Sequence, residues 1–133
     1  MKMNSEEVLA VLIQLSRADN YFDEFEFSYI LKVGQHLHIQ DQKVEQMINT
    51  PAPVNLEIPT SEEDRMTIIY YMLFLMKIDT IITVEEKELV HHYGFKLGFS
   101  STMIDEFISM MENNKFSRVK TSDMLTILRK YQN

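Results

Sequence analysis

The sequence predicts an all-α fold, a compact bundle of about seven helices in one domain. Three observations carry this. Apolar residues recur at three- and four-residue spacing along most of the chain, and no alternating stretch is long enough for a strand. Nearly every apolar run is preceded by Ser, Thr or Asp, and three of these residues have Glu three places on, the pattern of a capping box. Only 3 Gly and 3 Pro occur in 133 residues, too few for a β architecture full of tight turns. A chain of this length is ordinarily a single domain.

The elements follow in order. The first helix begins near Ser5, with Val8, Leu9, Leu12 and Leu15 along one face. The second is capped by Asp23, with Glu26 completing a box and Phe22 and Phe27 placed as a hydrophobic staple. Gln40 or Asp41 opens a short third helix through Val44, Met47 and Ile48. The stretch "NTPAPVNLEIPT" holds all three prolines and no periodicity, so residues 50–60 read as a linker. Thr60 and Glu63 box the start of the fourth helix, whose "MTIIYYMLFLM" is apolar on all sides and reads as buried at the centre. Thr83 and Glu86 open the fifth helix, which runs toward Leu97. Ser100 or Ser101 opens the sixth, through Met103, Ile104, Phe107, Ile108 and Met111. Thr121 or Ser122 opens a seventh carrying Met124, Leu125, Ile127 and Leu128.

A repeat underlies this order. At a constant offset of sixty, "RADNYFDEFEF" returns as "KIDTIITVEEK". Arg17 falls on Lys77, Asp19 on Asp79, Glu26 on Glu86, Ile30 on Val90, Gly34 on Gly94, Leu37 on Leu97, Val44 on Ile104 and Ile48 on Ile108. Residues about 5–49 and 65–109 therefore read as two three-helix pseudo-repeats, followed by a C-terminal helix. The first and fourth helices are expected to pack together at the centre.

The echoed acids are the first candidate site. Glu26 and Glu86 stand where a capping box needs Glu, which requires no ligand. Asp19 and Asp79 each follow the carboxyl end of an apolar helix, where the helix dipole disfavours negative charge. Either they accept backbone N–H bonds in a turn or pair with Arg17 and Lys77, or they hold a cation. Asp19, Asp23 and Glu26 are spaced so that a tight corner brings their oxygens together, the all-oxygen chemistry that suits Ca²⁺ or Mg²⁺. The spacing is not that of an EF-hand, and the second corner offers Thr83 where the first has Asp23.

An apolar helix ending in Asp, a short link and an acid-rich helix start with Glu seven residues after that Asp resembles the tellurite-resistance TerB-like family. The resemblance spans about residues 8–108. It implies a compact, roughly seven-helix domain with an internal duplication, a link to tellurite or other stress responses, and divalent metal at clustered acids. Carried over, the nominated residues are Asp19 and Glu26 in one half and Asp79 and Glu86 in the other. The family's Asp-Gly is replaced here by Asp19–Asn20 and by Asp79–Thr80. A β-branched Thr is poorly suited to a left-handed backbone, so the second corner is expected to differ in shape.

A second candidate lies on the same helix start. Phe25 and Tyr29, four residues apart, fall away from the face defined by Phe27, Ile30, Gly34 and Leu37. Their counterparts are Glu85 and Leu89, so the shared pattern does not demand aromatics there. They are the candidate contact for a protein partner or a second copy of the chain, unless a neighbouring helix covers them.

Composition narrows the functional classes. A net charge of -7 with no basic cluster disfavours nucleic acid and anionic lipid. The absence of cysteine excludes disulfides, thiolate metal sites and cysteine nucleophiles. No run reaches the ~20 apolar residues of a membrane span, no signal peptide is evident, and a cytoplasmic location is expected. His36, His38, His91 and His92 lack the four-residue spacing of a helical metal site, and the 10 Met residues read as core filler. No nucleophile motif or glycine-rich phosphate loop is present. The expectation is a non-enzymatic binding domain, a protein-interaction adaptor or a divalent-ion sensor. The rivals are a metal-dependent hydrolase using the same carboxylates and a purely structural helical domain.

Overall fold

The computed structural model describes residues 4–18, 24–51, 53–78 and 82–113, and of residues 77 and 78 the backbone alone. Among them are six helices and no strand: α1 Ser5–Ser16, α2 Glu24–His36, α3 Asp41–Asn49, α4 Glu62–Ile78, α5 Val84–Lys96 and α6 Ser101–Asn113. The seventh helix expected from Thr121 or Ser122 lies outside the described residues.

Two helices form the centre because they bury apolar residues on most of their faces. Val8, Leu9, Val11, Leu12, Ile13 and Leu15 are buried along α1, as are Met66, Ile68, Ile69, Met72, Leu73, Leu75 and Met76 along α4. A stripe on one face would need one covering layer; these helices need neighbours on several sides. They pack on each other. α2 packs on α1 and reaches α4, while α5 packs on α4 and reaches α1. α3 covers α2, and α6 covers α5 and α4. Each large side chain withdrawn from water contributes about 1.5–3 kcal/mol, so the two central helices supply much of the hydrophobic driving force.

Capping fixes where the helices begin. Asn4 accepts from the Glu7 amide ahead of α1. Ser100 Oγ accepts from the Met103 amide ahead of α6. Before α4, Ser61 Oγ accepts from the Asp64 amide at 3.3 Å, so the capping contact sits one residue later than the expected Thr60. The capping rule is satisfied equally well by either neighbour, so Thr60 with Glu63 matches the pattern although Ser61 makes the contact.

Contacts recur at the sixty-residue offset. A Cβ at Gly34 would lie 2.7 Å from Val44 Cγ2 and 3.8 Å from Leu9 Cδ2. At Gly94 it would lie 2.5 Å from Ile104 Cδ1 and 3.7 Å from Ile69 Cδ1. Glycine is what lets α3 approach α2, and α6 approach α5, at these points. α2 and α5 also end alike. The Ile39 amide donates to Gly34 O and the His38 amide to Gln35 O; the Phe99 amide donates to Gly94 O and the Gly98 amide to Phe95 O. These are Schellman closures, and they require a left-handed residue at His38 (φ 64°) and Gly98 (φ 89°).

Candidate functional site

The described acids of the first candidate site are Glu26 and Glu86; Asp19, Asp23 and Asp79 lie outside the described residues. Glu86 is 1% exposed and completes a capping box. Its Oε1 accepts from the Thr83 amide at 2.9 Å and from Thr83 Oγ1 at 3.0 Å, while the Glu86 amide donates back to Thr83 Oγ1 at 3.1 Å. Burying a carboxylate costs several kcal/mol unless it is hydrogen-bonded, and here the first turn of α5 supplies both the bonds and the positive end of the helix dipole. Glu26 is equally buried in the first turn of α2. Among the described residues no three His, Asp or Glu side chains converge as metal ligands.

The second candidate site is a groove between α2 and α4, about 470 Å³ in volume. Phe25 stands at its edge, 67% exposed. Tyr29 lies deeper, covered by α4. Its hydroxyl donates to the backbone carbonyl of Tyr71 at 3.0 Å, and its ring stacks on Phe74 at 5.7 Å between centroids. Phe74 stacks in turn on Tyr70 at 5.9 Å. His36 meets the Tyr71 ring edge-on at 6.5 Å, and Lys32 shares its rim. Desolvation pushes the Tyr29 hydroxyl well above the ordinary tyrosine range, with smaller contributions from Tyr71 and Tyr70.

Tyr70, Tyr71 and Phe74 are not marked as a site by the sequence, because "MTIIYYMLFLM" is apolar on all sides and reads as buried. The signal was present: two tyrosines in an apolar run carry hydroxyls that must reach water or a partner. All three are only partly buried. The remaining large apolar exposure, Phe95 at 79% and Val84, falls outside this groove. Isolated apolar residues of that kind are normal on a protein surface.

A larger groove of about 870 Å³ runs between α1, α3, the linker and the start of α5. Its floor is apolar, with Ala10, Ile13, Met47, Val54 and Leu89, and its walls carry Glu6, Glu7, Glu85 and Glu88. Two cations face it. Arg17 Nη2 donates to the Ile48 carbonyl at 2.6 Å, and Lys43 lies 3.9 Å from Glu6. The Tyr93 hydroxyl donates to Gln14 Oε1 across the α5–α1 contact. Ala10, Gln14, Glu85, Glu88 and Leu89 stand sixty residues from Tyr70, Phe74, Phe25, Ser28 and Tyr29. The two grooves thus draw on residues sixty positions apart in the sequence and differ in chemistry: one acidic, the other aromatic.

The histidines stay on or near the surface. His91 Nε2 lies 2.8 Å from Asp105 Oδ1, and Ser101 Oγ is 3.5 Å from His91 Nδ1. The order serine–histidine–aspartate is that of a hydrolytic triad, but the contacts are exposed and none of the three residues lines either groove. Among the described residues no helix is long and apolar enough to cross a membrane. No model of a known protein family matches the chain, and neither do the curated proteins or the solved structures with which it was compared.

Proposed function

We propose that the protein is a non-enzymatic binding domain that works as a protein-interaction adaptor through the aromatic groove between α2 and α4. The observation that carries this is the ladder Tyr29–Phe74–Tyr70 beside an exposed Phe25. Aromatic rings combine large apolar area with few rotatable bonds, so they cost little entropy to immobilise and dominate contact energetics. The same position in the other half carries Glu85, Glu88 and Leu89, so packing alone does not require aromatics here.

The reading includes an internal duplication, with residues 5–49 and 65–109 as its halves and the segment from Thr121 as a seventh helix. Support comes from the paired glycine contacts and the paired helix closures. A TerB-like kinship rests on the spacing of Asp19, Glu26, Asp79 and Glu86 alone. Ion sensing has less behind it than adaptor function, since Glu86 Oε1 is already engaged by Thr83. A hydrolase would need its reacting groups in a cleft, whereas the His91–Asp105 contact is exposed.

The test is selection of peptides from a displayed random library against the full chain, followed by titration calorimetry. Peptides recovered against the protein are expected to bind Phe25→Ala at least about tenfold more weakly, the loss of an aromatic side chain that a bound partner would cover. They should bind Glu88→Ala, in the other groove, unchanged. Selected peptides indifferent to Phe25→Ala and Tyr70→Ala would count against the proposal. Titration with Ca²⁺ and Mg²⁺ in the same instrument addresses the ion reading separately.

A further inference from the structure

The acidic groove has an apolar floor and no occupant among the described residues, and the chain itself carries a segment of matching chemistry. Residues 114–133, outside the described part of the structure, hold five of the 13 basic residues and one of the 20 acids. The charge of the chain is therefore sharply divided, with a basic end on an otherwise acidic protein. We propose that this segment is the occupant of the groove between α1 and α5, a docking that rests on the seventh-helix reading given above.

The pattern of the segment fits the groove in two respects. At 100° per residue, Met124, Leu128 and Tyr131 align, with Leu125 and Ile127 on either side of that line. Arg129 and Lys130 then flank the apolar stripe, one on each border. The groove presents the complement: Ala10, Met47, Val54 and Leu89 below, with Glu85 and Glu88 on the α5 wall and Glu6 and Glu7 on the α1 wall. Apolar burial along the stripe supplies affinity, while opposite charges at the borders set register and orientation.

The exit point of the chain also fits. α6 ends at Asn113, and Glu112 lies 3.6 Å from Lys87 in the first turns of α5. Glu85, Glu88 and Leu89 are on those same turns. The seven residues 114–120 span up to about 23 Å when extended. That exceeds the ~10–12 Å diameter of the helix they must pass to reach the groove.

The test exploits the absence of native cysteine. A spin label on Gln132→Cys in the isotopically labelled full chain should broaden the amide signals of Ala10, Met47 and Leu89, with loss of most of their intensity. Glu85→Lys/Glu88→Lys should restore those signals severalfold. Adding Arg129→Glu/Lys130→Glu should bring the broadening back. Glu85→Gln/Glu88→Gln serves if charge reversal unfolds the helix start, with restoration again expected. Broadening at Tyr70 and Phe74 instead, or no broadening, would overturn the proposal. So would broadening that appears when spin-labelled protein is mixed with separately isotope-labelled protein, since the occupant would then be a second copy.

Discussion

Gly94→Ala isolates the close approach of α6 to α5. In an exposed helix interior the change would stabilise by about 0.5–1 kcal/mol, since alanine loses less backbone entropy. Here the new methyl would stand 2.5 Å from Ile104 Cδ1 and 2.8 Å from its Cγ1, both inside contact distance. Cδ1 is the free end of the side chain, but Cγ1 is held near the backbone, so α6 must yield or Ile104 must leave its rotamer. Overpacking of that kind costs about 1–3 kcal/mol, leaving a net loss of up to about 2.5 kcal/mol. For a domain of this size each kcal/mol lowers the midpoint of thermal unfolding by about 3–4 °C, so the fall should reach at most about 9 °C. Urea unfolding followed by far-ultraviolet circular dichroism measures the change. The decisive comparison is the Ile104→Ala background, where the obstructing atoms are gone and Gly94→Ala should become neutral or stabilising. If Gly94→Ala stabilises the native background, or costs the same in both, α5 and α6 do not meet as described.

The other perturbations are simpler. Thr83→Ala removes the cap of α5 and should cost about 0.5–2 kcal/mol by urea unfolding, with Glu86→Ala costing at least as much because the part-buried Thr83 amide loses its acceptor. His38→Gly replaces a non-glycine residue at φ 64° and should raise stability by about 1 kcal/mol, the cost of a left-handed side-chain-bearing residue. Tyr29 governs part of the alkaline limb. Its hydroxyl is held protonated in the folded state while the unfolded chain loses that proton near pH ~10, so stability is complete below that pH and falls above it. Tyr71 and Tyr93, also raised by burial, act in the same direction. Tyr29→Phe should therefore flatten the decline in unfolding free energy between about pH 9 and 11, and an unchanged slope would show that the hydroxyl is not desolvated.

The helix count through α6 and the central place of α1 and α4 were legible because periodicity and capping agree at each of those boundaries. Val8, Leu9 and Leu12 announce α1, and Thr83 with Glu86 announces α5. The ends of α2 and α5 were less legible, since His38 has no sequence mark of a left-handed residue and only Gly98 carries one. Phe25 was found because its sixty-residue counterpart is charged. The rest of the aromatic groove was hidden in the run "IIYYMLFLM", where hydrophobicity alone does not distinguish a ring in the core from one at its edge. The acidic groove was not foreseen, because Glu6, Glu7, Glu85 and Glu88 lie about eighty residues apart and meet only through the α1–α5 contact. Asp19, Asp23 and Asp79 lie outside the described residues, so the ion reading stands as an expectation.

The adaptor account is tested most directly by placing a photoreactive phenylalanine analogue at Phe25 in the living cell and, as the control, at Phe95. Both side chains are exposed, 67% and 79%, but only the first borders the aromatic groove. The account predicts one discrete cross-linked adduct from position 25 that is missing from position 95 and disappears when Tyr70→Ala is added. Equal labelling from both positions, or an adduct at 25 that survives Tyr70→Ala, would contradict it.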